Sequence, residues 1–213
     1  MMKVKTKRGW VSAPEWEVPD EHGDPFSRFA ESRGLDPDFL ASHGVGIADQ
    51  DAPKPGWIAI PYPHLSGVWH VRYRNPGVDG PKYWAAPGSG THLYNPLHLG
   101  PNADEVWFAE GEFDTLSLIA AGYPAIGIPG ASIAKKVFAS EWRLLFDTAQ
   151  VVVGFDPDET GEAAAVRFGQ AFAPRSTIFE RYPEGAADWN DWWQQDPDGM
   201  KADLERFREG WGL

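Results

Sequence analysis

The amino-acid sequence predicts an α/β fold, a parallel sheet flanked by helices and preceded by a small α+β subdomain, on three observations. From about residue 101 onward, the apolar runs VWFA, AIGI, VVVGF and STIF alternate with helical patterns. Strands that alternate with helices are joined by crossovers, which makes their sheet parallel. Upstream, GWIAIPYPHLSGVWHVRYRN holds two β-like runs around a Pro, Ser and Gly turn, the pattern of an antiparallel hairpin. Finally, 213 residues with 42% hydrophobic content suffice for one substantial core with a smaller satellite.

Taken in order, residues 1–25 mix Lys3, Lys5, Lys7 and Arg8 with Pro14, Pro19 and Pro25, so a flexible N-terminal arm without regular structure is expected. Residues 26–100 make the small subdomain. Phe26, Phe29, Ala30, Leu35, Phe39 and Leu40, interrupted at Gly34, suggest two short helices. The hairpin follows, with strands over 57–62 and 68–74, then a Gly- and Pro-rich connection that embeds Lys82, Tyr83 and Trp84. Residues 101–195 form the sheet domain, with helical patterns over 112–121, 133–146 and 159–172. VVVGF, apolar and β-branched, suits a strand buried on both faces. Residues 196–213 complete the chain as a C-terminal helix.

Composition narrows the function. Without cysteine there is no disulfide framework, thiolate nucleophile or Cys-rich zinc ribbon. A net charge of -12 argues against binding nucleic acid by bulk electrostatics, although acids gathered at a metal site are neutralised by the ions they hold. No apolar run reaches the roughly 18 residues of a membrane span, so a soluble, cytoplasmic protein without a membrane partner is expected.

Two acidic turns carry the chemistry. Glu110 closes the run EVWFA, Gly111 allows a tight turn, and Asp114 follows about one helical turn later, although Asp114 would equally serve a helix N-terminus. VVVGF runs directly into Asp156-Pro157-Asp158, with Gly161 at the next helix start. Close carboxylates repel one another and raise their pKa unless a cation is present, so the cluster suggests a divalent-metal site. An EF-hand is excluded because Arg167 stands where the bidentate Glu belongs and a strand precedes the loop. A third acidic segment, GAADWNDWW, brings Asp188 and Asp191, residues that would also suit a helix cap.

The paired motif, Glu110-Gly111 after one strand and Asp156-Pro157-Asp158 with Gly161 after another, resembles the TOPRIM domain of primases, topoisomerases and some nucleases. EGEFDTLSL and YPEGAADWNDWW are most similar to primases, and the likeness extends upstream through FSRFAESRGLDPDFLASHGVGI to PKYWAAPG. The resemblance implies a DNA primase catalytic core, phage- or mobile-element-encoded, that synthesises primers on single-stranded DNA from nucleoside triphosphates. It implies Glu110, Asp156 and Asp158 as catalytic residues holding Mg2+ or Mn2+ with Asp188 nearby, supported by Gly111, Asp114, Gly161 and Asp191. Arg72, Arg74 and Lys82 are then the nucleotide and template contacts, with Trp69, Tyr73, Tyr83 and Trp84 as bases' stacking partners or core. Primases of this kind usually carry a zinc ribbon, absent here, and no P-loop is present, so a separate replicative helicase is the expected partner. A TOPRIM nuclease and a non-catalytic nucleic-acid-binding protein are the alternatives, whereas a topoisomerase would need a tyrosine domain.

Overall fold

The computed structural model describes residues 3–6, 9–12, 25–64, 67–77, 79–98, 103–130 and 149–212. The chain divides into two compact units, Met1–Gly90 and Thr91–Leu213.

In the first unit, β1 (Lys3–Thr6) and β2 (Gly9–Ser12) pair antiparallel. Helices α1 (Pro25–Glu31) and α2 (Pro37–Ser42) follow, separated around Gly34 as the sequence suggests. Asp36 caps α2, its Oδ1 accepting from the Phe39 N–H at 2.9 Å, and Pro37 occupies the first turn, where no N–H is needed. Next come β3 (Gly46–Ile47), β4 (Ile58–His64), β5 (Gly67–Arg74) and β6 (Tyr83–Ala85). The strands lie in the order β2-β1-β5-β4-β3, with β6 also on β5. The expected hairpin is β4–β5, in register from Ile58↔Arg74 to Tyr62↔His70 and shifted after Tyr62, next to Pro63. Phe26, Ala30, Leu40, Ile58 and Ile60 are fully buried.

Two expectations are corrected here. The arm was expected to lack regular structure, yet β1 and β2 lie within it, and Val4 pairs with Val68 of β5 in parallel. The lysines of KVKT alternate with Val4 and Thr6, residues that favour an extended backbone, so the charge concealed a short strand. Similarly, the Gly- and Pro-rich connection contains β6, three residues whose ladder with β5 overrides the turn-forming residues around them.

The second unit runs β7 (Glu105–Glu110), α3 (Glu112–Ala120), β8 (Ala125–Ile128), β9 (Gln150–Val153), α4 (Glu159–Gln170), β10 (Ser176–Ile178), α5 (Trp189–Gln195) and α6 (Pro197–Trp211). Its four strands are parallel and lie in the order β10-β9-β7-β8. The helix expected over 133–146, with Lys135 and Lys136, lies outside the described residues.

Alternate strand residues feed two cores. On one face Val106, Phe108, Ile126, Ile128, Val151 and Val153 pack with Phe168 and Phe172 around α4. On the other, the buried Trp107 ring meets Tyr123, Trp189 and Phe207 edge-on at 5.0, 6.1 and 5.7 Å. Trp189 Nε1 donates to the Gly154 carbonyl at 2.7 Å. A Cβ at position 154 would overlap the Trp189 ring, so the glycine at the end of VVVG is what admits the indole. Trp189, Trp192 and Trp193 are all buried. Met200, Leu204 and Phe207, spaced along one stripe of α6, are buried as well, and Arg208 Nε meets Glu105 Oε2 at 3.1 Å, fastening α6 to the start of β7.

Candidate active site

The strand order fixes where the acids meet. The chain passes from β7 outward to β8, then returns across β7 to β9 and β10, so the direction of winding reverses between β7 and β9. In an open parallel sheet ligands bind at the carboxyl ends of the strands flanking that reversal. Phe108 is level with Val153, which brings Glu110, two residues on, beside the turn that begins at Phe155 and Asp156. Both β-strand ends therefore deliver carboxylates to the same crevice. Glu110 and Asp156 are each partly buried, and Glu110 Oε1 and Asp156 Oδ1 are shielded from solvent.

Each turn is held by contacts that its sequence permits. Gly111 adopts φ 83° and ψ 177°, a conformation that favours glycine. Its N–H donates to the Ile128 carbonyl at 2.8 Å, and Thr115 Oγ1 donates to its carbonyl at 2.7 Å, so the turn after Glu110 is tied to both β8 and α3. In the second turn the Asp158 N–H donates to the Asp156 carbonyl at 2.8 Å, and Asp158 Oδ1 accepts from the Gly161 N–H at 2.7 Å. Asp158 is thus the exposed N-cap of α4. Gly161 lies against the Asp156 backbone so closely that a Cβ would overlap its carbonyl oxygen.

Asp114 and Asp188 join the cluster through α3 and α5. Asp188 caps α5, accepting from the Asp191 N–H at 2.6 Å, while Asp191 Oδ2 accepts from the Ala187 N–H at 3.4 Å. Asp114 Oδ1 accepts from the Asn190 N–H at 3.1 Å, and the buried Asn190 amide donates to Ser117 Oγ at 2.9 Å. These two bonds link α3 to α5 and set the Asp114 and Asp188 carboxyls against each other. Burial first, and then the charges of Asp188 and Asp156, hold the Asp114 carboxyl well above the usual carboxylate range, against the opposing effect of the Asn190 N–H. The Tyr182 hydroxyl, which donates to the Phe155 carbonyl at 3.1 Å, is also raised well above its ordinary value, by burial and then by Asp114, Asp156, Asp188 and Glu110. One hydroxyl that registers four carboxylates marks their convergence. Asn190 and Tyr182 were not singled out from sequence, because their roles depend on which elements they join and neither stands in a recognisable spacing.

The donor set fits a hard divalent cation. Carboxylate oxygens are the ligands Mg2+ and Mn2+ take, and a cation beside Asp188 and Asp156 would offset the part of the rise at Asp114 that their charges add to its burial. Among the described residues no group of three or more acids or histidines is placed to hold a metal ion by itself.

The basic residues belong to the first unit. Arg72, Arg74 and Lys82 surround one ring, that of Tyr83, at 3.9, 5.2 and 5.7 Å from its centroid. They meet because Arg72 and Arg74 are two apart on β5 and Arg74 is paired with Tyr83 of β6. Arg74 is buried and its Nη1 donates to Tyr83 Oη at 2.6 Å, whereas Lys82 is exposed. Tyr73 is core, packed with Ala48, Ala59 and Val71, and Trp84 leans on it at 5.6 Å. The Trp69 side chain lies outside the described residues.

A parallel sheet that carries Glu-Gly after one strand and Asp-x-Asp after the strand beside it has the arrangement of a Toprim-like domain. A Toprim-like family model matches residues 107–193. The Gene 57 protein of Mycobacterium phage D29 is 33% identical over 111 residues, 50% of this chain and 71% of that protein. The DNA helicase/primase of Enterobacteria phage T3 is 28% identical over 156 residues, 67% of this chain but 27% of that protein, so this chain spans about a quarter of its length. Among solved structures, the primase fragment of the bacteriophage T7 primase-helicase protein superposes with a TM-score of 0.64 at 22% identity, covering 81% of this chain and 72% of that one. The DnaG primase catalytic domain bound to single-stranded DNA gives 0.64 at 19% identity, covering 86% and 73%. The chain belongs to the family of the phage D29 Gene 57 protein, and its fold is that of primase catalytic cores.

Proposed function

We propose that this chain is a primase-type nucleotidyltransferase, a metal-dependent DNA-directed RNA polymerase that makes short primers on single-stranded DNA from nucleoside triphosphates. The observation that carries this reading is the convergence of Glu110, Asp114, Asp156 and Asp188 at the reversal point of a TOPRIM sheet, in a chain whose fold is that of primase cores. Similarity to the T3 helicase/primase and the D29 protein supports phage or mobile-element replication as the setting, in host cytoplasm, with a replicative helicase as partner.

In this reading Glu110 and Asp156 hold the divalent ion, Mg2+ or Mn2+, with Asp158 and Asp188 beside them. When bound, the ion lowers the pKa of the attacking 3′-hydroxyl and neutralises charge on the triphosphate. Asp114 acts through its bond to Asn190, keeping Asp188 in place, and Gly111 and Gly161 let the two turns close. Asp191 steadies the α5 start. Arg72, Arg74 and Lys82 contact phosphates of nucleotide or template, and the Tyr83 ring that keeps the two arginines together serves as their scaffold.

The test is incubation of the full chain with labelled nucleoside triphosphates and single-stranded DNA, with and without Mg2+ or Mn2+. Metal-dependent products longer than one nucleotide are expected. Cleavage of labelled DNA or RNA without triphosphates would identify a TOPRIM nuclease instead, and binding without either product a non-catalytic nucleic-acid-binding protein.

A further inference from the structure

Next to the acidic crevice, whose flank at Phe155, Pro157 and Tyr182 it shares, the second unit presents a strand edge that the catalytic reading does not use. β10 is the outer strand of its sheet, with β9 on one side and no strand on the other among the described residues. Unlike the buried β7 and β8, all three of its residues are partly exposed. Proteins blunt such edges with short strands, lysine, proline or inward charges; β10 is short, but Ser176, Thr177 and Ile178 bring neither charge nor proline. Two clefts of about 400 and 420 Å³ adjoin this strand and share Val166, Ile178 and Glu180 as walls. Val166 and Trp211, 46% and 58% exposed, are the large hydrophobic residues left in solvent among the described residues, and both line this groove.

Charge specifies the occupant. Glu159, Glu162 and Glu180 line the groove and no lysine or arginine does, in a chain of net charge -12. That excludes a nucleic acid strand, whose phosphates would be repelled, and selects a cationic partner. An exposed strand edge supplies backbone hydrogen bonds to an extended segment, while flanking clefts take alternate side chains. We propose that the β10 edge is a docking site for a partner protein, which adds an extended segment alternating apolar residues with lysine or arginine. The apolar side chains enter the two clefts and the cations meet Glu162 and Glu180. The groove adjoins the acidic crevice, but Glu162 and Glu180 have no part in the catalytic reading.

The experiment measures fluorescence anisotropy of a fluorescein-labelled heptapeptide alternating lysine and valine, titrated with the full chain. Three further probes accompany it: the same peptide with alternate backbone amides N-methylated, a lysine–serine peptide, and a glutamate–valine peptide. Wild-type protein is expected to bind the lysine–valine peptide at least ten-fold more tightly than any of the other three. The double variant Glu162→Lys/Glu180→Lys, folded as judged by circular dichroism, is expected to bind it at least ten-fold more weakly with primer synthesis unchanged. Equal binding of the N-methylated peptide would exclude strand addition, and equal binding of the lysine–serine peptide or by the double variant would reduce the effect to bulk charge. Absence of binding to wild type would overturn the proposal outright.

Discussion

Substitution of Gly161 by alanine tests whether the metal-site turn is set by backbone contact. Gly161 and Gly169 lie on the same helix, α4, and both are buried. In a helix interior, replacing glycine with alanine normally gains about 0.5–1 kcal/mol. At position 169 the new Cβ would lie 3.6 Å from Ser176 Oγ and 3.8 Å from Ile178 Cγ1, ordinary contacts, so Gly169→Ala should realise that gain. At position 161 it would lie 3.1 Å from both C and N of Asp156 and closer still to its carbonyl oxygen. Backbone cannot rotate out of the way as a side chain can. The turn must shift, at a net cost of about 1–3 kcal/mol typical of overpacking. With a shift of about 2–4 °C per kcal/mol for a chain of this size, Gly161→Ala should lower the midpoint by roughly 2–12 °C and Gly169→Ala raise it by up to about 4 °C. Thermal unfolding followed by circular dichroism measures this, and Mn2+ titration should show weakened binding for Gly161→Ala alone, because Asp156 moves with the turn. If the two variants behave alike in stability and in metal binding, the close approach of α4 to Asp156 is not what shapes the site.

Asp114→Asn keeps the acceptor for the Asn190 N–H and removes a charge whose pKa is raised in the folded state. A carboxyl with a raised folded pKa binds more protons folded than unfolded, so wild-type stability falls as pH rises from about 4 through the folded value. The metal-free variant should lose less stability over that interval and be the more stable at pH 7, as urea unfolding across pH would show. Asn190→Ala breaks the buried link to Ser117 at a cost of about 1–3 kcal/mol and should weaken metal binding, checked by unfolding and calorimetry together. For the basic unit, Arg72→Ala and Lys82→Ala should weaken single-stranded DNA binding evenly across sequences. Each lost phosphate contact should lower the slope of log affinity against log salt by about 0.7, measurable by filter binding at several salt concentrations.

The parallel sheet and both acidic turns were legible because their signals are local: VVVGF running into Asp156, and EVWFA into Glu110, place acids at strand ends whatever the rest of the chain does. Gly161 was legible as part of the motif, although its reason, the Asp156 carbonyl, is visible only in three dimensions. Asn190 was not, because its importance rests on an amide reaching Ser117, 73 residues away. β1 and β6 escaped for a related reason. Strands of three or four residues get their stability from a partner, here β5 in both cases, and the sequence of a short strand says little about that partner. Arg72, Arg74 and Lys82 were picked out through the resemblance to primases, and the shared Tyr83 ring that groups them emerged from the β5–β6 register.

The most direct measurement is labelled-nucleotide incorporation on single-stranded DNA by Glu110→Gln and Asp156→Asn, each compared with wild type in Mg2+ and in Mn2+. Both substitutions remove an anionic oxygen at nearly constant shape, so the fold should persist while each abolishes metal-dependent synthesis, by about 100-fold or more given what a bound ion contributes to charge stabilisation. Undiminished primer synthesis by both folded variants would contradict a metal-holding role for the two strand-end carboxylates.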